Sequence, residues 1–193
     1  MNKISYFLPI LLITISFSEQ LDELMNQATD YYFQKKHDLA FKYSKQALDL
    51  SPFHPYANFY IGEYYGFKGE FENALEYYDK AIKYHVHDEF SLAYYQRAIT
   101  KIVLYQDLSY CGDIKILKRI FIKDDEYQYL EEEHPIVFGL CDFIPSSNQG
   151  LIHSANFLSQ KGFCGYSQLF YNEASKTGTP DELAEYDKSS CDN

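Results

Sequence analysis

The sequence predicts an all-α fold: a stack of helical hairpins followed by a degenerate, disulfide-pinned helical part. Three observations predict it. The stretch "AFKYSKQALDL" at 40–50 returns as "ALEYYDKAIKY" at 74–84, so Ala40 and Ala47 are matched by Ala74 and Ala81 at a separation of 34 residues. Within a unit, small and apolar side chains recur at three, four and seven residues, which is helical spacing: Leu24, Ala28 and Tyr31, then Ala40, Tyr43, Ala47 and Leu50. No stretch carries the two-residue alternation of a half-buried strand.

The first 18 residues, "MNKISYFLPILLITISFS", have the order of a targeting segment: Lys3, an apolar run from Phe7 to Ile15, then the small residues Ser16 and Ser18. Processing is expected near Ser18/Glu19, which makes the protein exported, periplasmic or secreted, with no stable membrane insertion after cleavage. The alternative is a retained anchor. The uncharged run from Ile4 to Ser18 is 15 residues long, short of the roughly 20 that span a bilayer.

Residues 21–54 lie over residues 55–88 in register: Tyr31 over Tyr65, Phe33 over Phe67, Tyr43 over Tyr77, besides the alanines. Each unit divides into two helices, at "QKKH" (34–37) and at "KGEF" (68–71), where Gly69 suits a left-handed cap. Two alanines seven apart form one stripe two turns long against which a neighbouring helix can approach closely, while Tyr31, Tyr65 and Tyr78 fill the wider gaps beside it. A third, degenerate unit is expected over 91–122, with Tyr94, Ala98 and a helix to about Tyr105, but with Tyr110 and Leu117 where alanines would fall.

From 123 to 193 the pattern reads as helices without a clear period. Pro135 limits the helix before it, "IPSSNQG" at 144–150 reads as a loop, and "NFLSQKGFCGYSQLFYNEASKTG" reads as a helix pair broken at Lys161-Gly162. Thr179-Pro180-Asp181-Glu182 combines a capping threonine, proline at the first helical position and a glutamate three residues after the cap. Four cysteines, Cys111, Cys141, Cys164 and Cys191, suit two disulfides in an exported chain and allow three pairings. Two sit in parallel strings, "YCGD" and "FCGY", each followed by another cysteine after 30 and 27 residues. That parallel favours Cys111–Cys141 with Cys164–Cys191. A zinc site lacks the C-x-x-C pair it would need.

Apolar residues make up 46% of the 193 and charged residues 23%, the balance of an ordered chain. With 28 acidic against 17 basic side chains the net charge is −11, which argues against nucleic acid as a partner, since phosphate binding needs a concentrated basic face. The sequence carries no G-x-S-x-G, no H-E-x-x-H and no glycine-rich phosphate loop, so no enzyme activity and no cofactor are expected. The acidic run "EEEH" at 131–134 reads as a solvated helix face. His85-x-His87 with Asp88 is too sparse a set for a metal centre, and none is expected.

The repeated residues resemble the tetratricopeptide repeat (TPR) family, whose 34-residue unit carries a small residue, an aromatic and two alanines at fixed positions. Ala28, Tyr31, Ala40, Ala47 and Pro52 fit the first unit, and Gly62, Tyr65, Ala74, Tyr78 and Ala81 the second; Val86 replaces the usual proline and Ser44 an expected aromatic. The resemblance implies a right-handed α-α superhelix whose concave groove is lined by the first helix of each pair. Carried over, the groove positions are Met25, Thr29, Tyr32 and Phe33, then Tyr56, Phe59, Glu63 and Phe67, then Tyr95 and Ile99. Met25, Thr29 and Glu63 stand where a clamp for a terminal carboxylate would need cationic or amide groups. The implied function is a non-enzymatic interaction module taking a peptide or protein segment on aromatic side chains, which give large contact area at low entropy cost. A glycan-binding envelope protein is the alternative, since tyrosine faces also stack on sugar rings.

Overall fold

The computed structural model describes residues 7–86, 90–121, 129–142, 144–187 and 189–191. Among them all regular structure is helical: α1 (Phe7–Phe33), α2 (His37–Leu50), α3 (Pro55–Lys68), α4 (Phe71–Tyr84), α5 (Ser91–Tyr105), α6 (Cys111–Phe121), α7 (Tyr129–Glu133), α8 (Pro135–Leu140), α9 (Asn148–Gln160), α10 (Cys164–Ser175) and α11 (Pro180–Leu183), with 3-10 turns at Leu108–Tyr110 and Ser189–Cys191. No helix among the described residues is long and apolar enough to cross a membrane. Helix α1 runs unbroken past Ser18 and Glu19, where processing is expected. The chain divides into two compact units, Met1–Ala93 and Tyr94–Asn193. The degenerate third repeat expected over 91–122 therefore groups, from Tyr94 onward, with the C-terminal helices.

In the first unit α1 pairs with α2 and α3 with α4, and α3 also packs against α1 and α2. The two hairpins turn the same corner. Lys35 and Gly69, 34 residues apart, both take the left-handed conformation (φ 57° and 76°), and the residues after them, Lys36 and Glu70, have nearly identical backbones (φ −89°, ψ 69° and 66°). In each case the amide after the left-handed residue donates back into the preceding helix, Lys36 to the Tyr31 carbonyl and Glu70 to that of Tyr65, both at 2.9 Å.

The alanines are the contact. Ala40 is 2% exposed and Ala47, Ala74 and Ala81 are 0% exposed, so the helix backbones meet with no long side chain between them. Beside them the rings of Tyr31 and Tyr43 stack at 5.4 Å, and those of Tyr65 and Tyr77 at 5.5 Å. One exchange breaks the symmetry. Where the first unit has Ala28 and Ser44, both fully buried, the second has Gly62 and Tyr78. A Cβ at Gly62 would lie 2.7 Å from Cε1 of Tyr78. The missing methyl makes room for the ring, and the Ser44 hydroxyl, in the smaller version of the slot, finds no hydrogen-bond partner among the described residues.

The second unit packs α9 against α10, around a core that includes Tyr110, Ile114, Leu117, Phe138, Ile152 and Phe170. Tyr110 and Leu117, which stand where a regular repeat would have alanines, are both fully buried. Two disulfides, Cys111–Cys141 and Cys164–Cys191, close this unit. The side chain of Asp113 is 2% exposed and is held by the guanidinium of Arg97 and, at 2.8 Å, by the ammonium of Lys101, as a buried carboxylate must be.

The stretch 144–150 is a correction to the expected loop. Helix α9 already starts at Asn148, because Ser147 is extended (φ −121°, ψ 150°) and its hydroxyl accepts from the Gly150 amide at 3.2 Å. Serine, asparagine and glycine there form a helix start rather than a turn. At the end of the chain the capping box forms, with Glu182 reaching the Thr179 amide at 2.9 Å, yet α11 is only four residues long.

Candidate functional site

The groove positions expected in the first unit fall on α1 and α3, and a polar cluster forms between these helices and α4. Thr29 Oγ1 and the Tyr60 hydroxyl are 3.0 Å apart, and the Tyr32 and Tyr60 rings stack at 4.8 Å. The Tyr32 hydroxyl donates to Glu63 Oε2 at 3.3 Å, and that of Tyr78 to Glu63 Oε1 at 2.6 Å. Burial pushes the Glu63 carboxyl above the usual carboxylate range, while the hydroxyls of Tyr78 and Tyr32 pull it partway back. Burial and the neighbouring Glu63 together push the Tyr78 phenol far up, so it stays protonated and can donate to Glu63. The cluster anchors α3 to its neighbours. Each carboxylate oxygen has a phenol donor.

The expected groove residues divide by accessibility. Phe33, Tyr56 and Phe67 are exposed, at 75%, 44% and 63%. Thr29, Tyr32 and Glu63 are half-buried in the polar cluster. Met25 and Phe59 belong to the core, Phe59 lying against Tyr32, Tyr78 and Phe90 at ring separations of 5.8, 6.0 and 5.1 Å. In the second unit Tyr95 is a core residue, its ring 5.6 Å from that of His134, and Ile99 packs partly buried on the same core. The described surface of the proposed groove therefore consists chiefly of Phe33, Tyr56 and Phe67.

Residues outside the expected set join that surface. His37 stacks on Phe67 at 4.3 Å, and the two border a cavity of about 310 Å³ also lined by Lys35, Lys36, Asp38 and Leu39. Tyr56 leans on Phe90 at 4.8 Å and on His85 at 5.9 Å. His37 and His85 lie at helix boundaries, where a repeat alignment of helix faces gives no signal. Tyr60 and Tyr78 carry the polar cluster, and a hydrogen-bonding role for them follows only once α1, α3 and α4 are in contact.

No group of three or more His, Cys, Asp and Glu side chains able to hold a metal ion occurs among the described residues. His87 and Asp88 lie outside them. What the arrangement offers is contact: exposed rings on α1 and α3, with the half-buried carboxylate of Glu63 on α3. No known family model matches this chain, and no curated protein does.

Proposed function

We propose that the chain is an exported, non-enzymatic helical-repeat module of the TPR type, which holds an extended or helical polypeptide segment against α1 and α3. The observation that carries this reading is the recurrence at 34 residues of one turn geometry, one alanine contact and one outward ring, Phe33 and then Phe67. Repeats stacked by such contacts present equivalent side chains at regular intervals, which suits an extended guest. The support from these rings lies in their recurrence at one repeat position and not in exposure alone, since single exposed rings are common on protein surfaces. Export is supported by the two disulfides and by the order of charge, apolar run and small residues over 1–18.

The test is capture of polypeptides by crosslinking from the native envelope, comparing the wild-type chain with a Phe33→Ala/Tyr56→Ala/Phe67→Ala variant. Phe59 and Tyr95 are left intact because their truncation would damage the core. Retained folding with loss of a discrete captured polypeptide supports the reading. Equal capture by the variant, or capture of polysaccharide and no polypeptide, overturns it.

A further inference from the structure

The two disulfides of the second unit differ in access. Cys111 and Cys141 are 2% and 4% exposed, sealed in the core with Tyr110 and Phe138. Cys164 and Cys191 are both half-buried. Cys164 also lines an open cavity of about 670 Å³ together with Ile102, Phe163, Tyr166 and Leu169, and none of the residues lining it is charged. Among the described residues lining this cavity, none therefore presents a carboxylate to an approaching thiolate. Thiol–disulfide exchange needs such access, because the attacking sulfur must line up with the S–S bond.

What Cys191 secures is a strap. Beyond α11 the chain returns over α9 and α10: the Tyr186 ring stacks on Tyr171 at 4.4 Å, and its hydroxyl lies 2.9 Å from Ser167 Oγ. Asn156 donates to the Glu185 carbonyl at 2.9 Å and accepts from the Asp187 amide at 2.7 Å. The strap ends in the 3-10 turn Ser189–Cys191, where Cys191 Sγ sits 3.4 Å from the hydroxyl of Ser159, itself 0% exposed. The same turn rests against α9, and the Ser189 amide donates to Asp187 Oδ1 at 2.9 Å within the strap itself. The α9–α10 hairpin has a packed face of its own, separate from the strap.

We infer that Cys164–Cys191 is a redox-operated latch on the C-terminal strap, and that Cys111–Cys141 is a fixed cross-link. A dithiol opens the latch. One thiolate of the dithiol attacks Cys164 Sγ, the S–S bond breaks, and Cys191 leaves as a thiolate that takes up a proton. The second thiol of the dithiol then attacks the mixed disulfide and releases Cys164. The protein disulfide gains two electrons and two protons, and the dithiol becomes a cyclic disulfide. The strap then swings on Tyr186 and uncovers Ser159 and the adjoining surface of α9.

The experiment exposes the full oxidised chain to graded dithiothreitol without denaturant, quenches by alkylation and maps the labelled cysteines, with amide hydrogen exchange measured in parallel. Cys164 and Cys191 should be labelled at least roughly tenfold faster than Cys111 and Cys141. Exchange should rise over 185–191 and stay unchanged over α9 and α10. A Cys164→Ser/Cys191→Ser variant should show the same local rise while Cys111–Cys141 stays resistant. Labelling of both pairs together, earlier labelling of Cys111 and Cys141, unchanged exchange in the strap, or global loosening of the variant would each overturn the inference.

Discussion

Replacing Gly62 by alanine should destabilise the protein only while Tyr78 is present. The added methyl would sit 2.7 and 2.8 Å from Cε1 and Cδ1 of the Tyr78 ring, inside the roughly 3.5 Å at which carbon atoms begin to attract. The ring has little room to yield, being 2% exposed and tied through its hydroxyl to Glu63 at 2.6 Å. Overpacking of this kind costs about 1–3 kcal/mol, and alanine in place of glycine within a helix returns about 1 kcal/mol. The net loss expected is about 1 kcal/mol. In a Tyr78→Ser background, which recreates the Ala28/Ser44 pair of the preceding repeat, the clash is gone and the same substitution should stabilise by about 1 kcal/mol. The coupling between the two sites is then about 2 kcal/mol. Urea unfolding of the four proteins measures it, with sucrose in every sample because Tyr78→Ser alone removes a large buried ring. Additivity within about 0.5 kcal/mol, or a Gly62→Ala single variant more stable than wild type, would refute the reasoning.

Lys35 and Gly69 share a left-handed backbone, so Lys35→Gly should raise stability by about 1 kcal/mol and Gly69→Ala lower it by a similar amount; a Cβ at Gly69 meets nothing within 4 Å, so the cost there is conformational, and thermal unfolding checks both. Ser44→Ala removes a buried hydroxyl without a partner among the described residues and should stabilise by about 1 kcal/mol in urea. The raised pKa of Glu63 means that the folded state binds more protons than the unfolded state between the ordinary carboxylate value and the raised one. Its contribution to stability is therefore greatest below that interval and declines as pH rises through it. Urea midpoints between about pH 4 and pH 7 should show that decline in the wild type and a smaller one in Glu63→Gln.

The first hairpin pair was legible because its determinants are periodic. Alanines at one separation, a glycine at the helix break and aromatics beside the stripe all report on a single repeated backbone, and one sequence displays them. Lys35 was not legible as a left-handed residue, since nothing in a lysine announces that conformation; only its alignment with Gly69 does. The cysteine pairing could be inferred from the two parallel strings, and Cys111–Cys141 with Cys164–Cys191 is what the fold contains. The proposed groove was less readable. Phe33 and Phe59 are both phenylalanines on the same side of their helices by alignment, yet one is 75% exposed and the other 1%, because Phe59 meets Phe90 and Tyr78 from elements whose approach the alignment does not encode. Likewise the start of α9 at Asn148 was hidden because serine, asparagine and glycine serve turns and helix starts alike.

Both cross-links join cysteines that follow one another along the chain, Cys111 with Cys141 and Cys164 with Cys191, and no cysteine precedes Cys111. Synthesis from the N-terminal side delivers the alanine-packed hairpins of residues 21–88 ahead of all four of these thiols. Each bond can then close on arrival of its second partner. Pairing in order of emergence gives Cys111–Cys141 and then Cys164–Cys191, the bonds that the fold contains, without reshuffling.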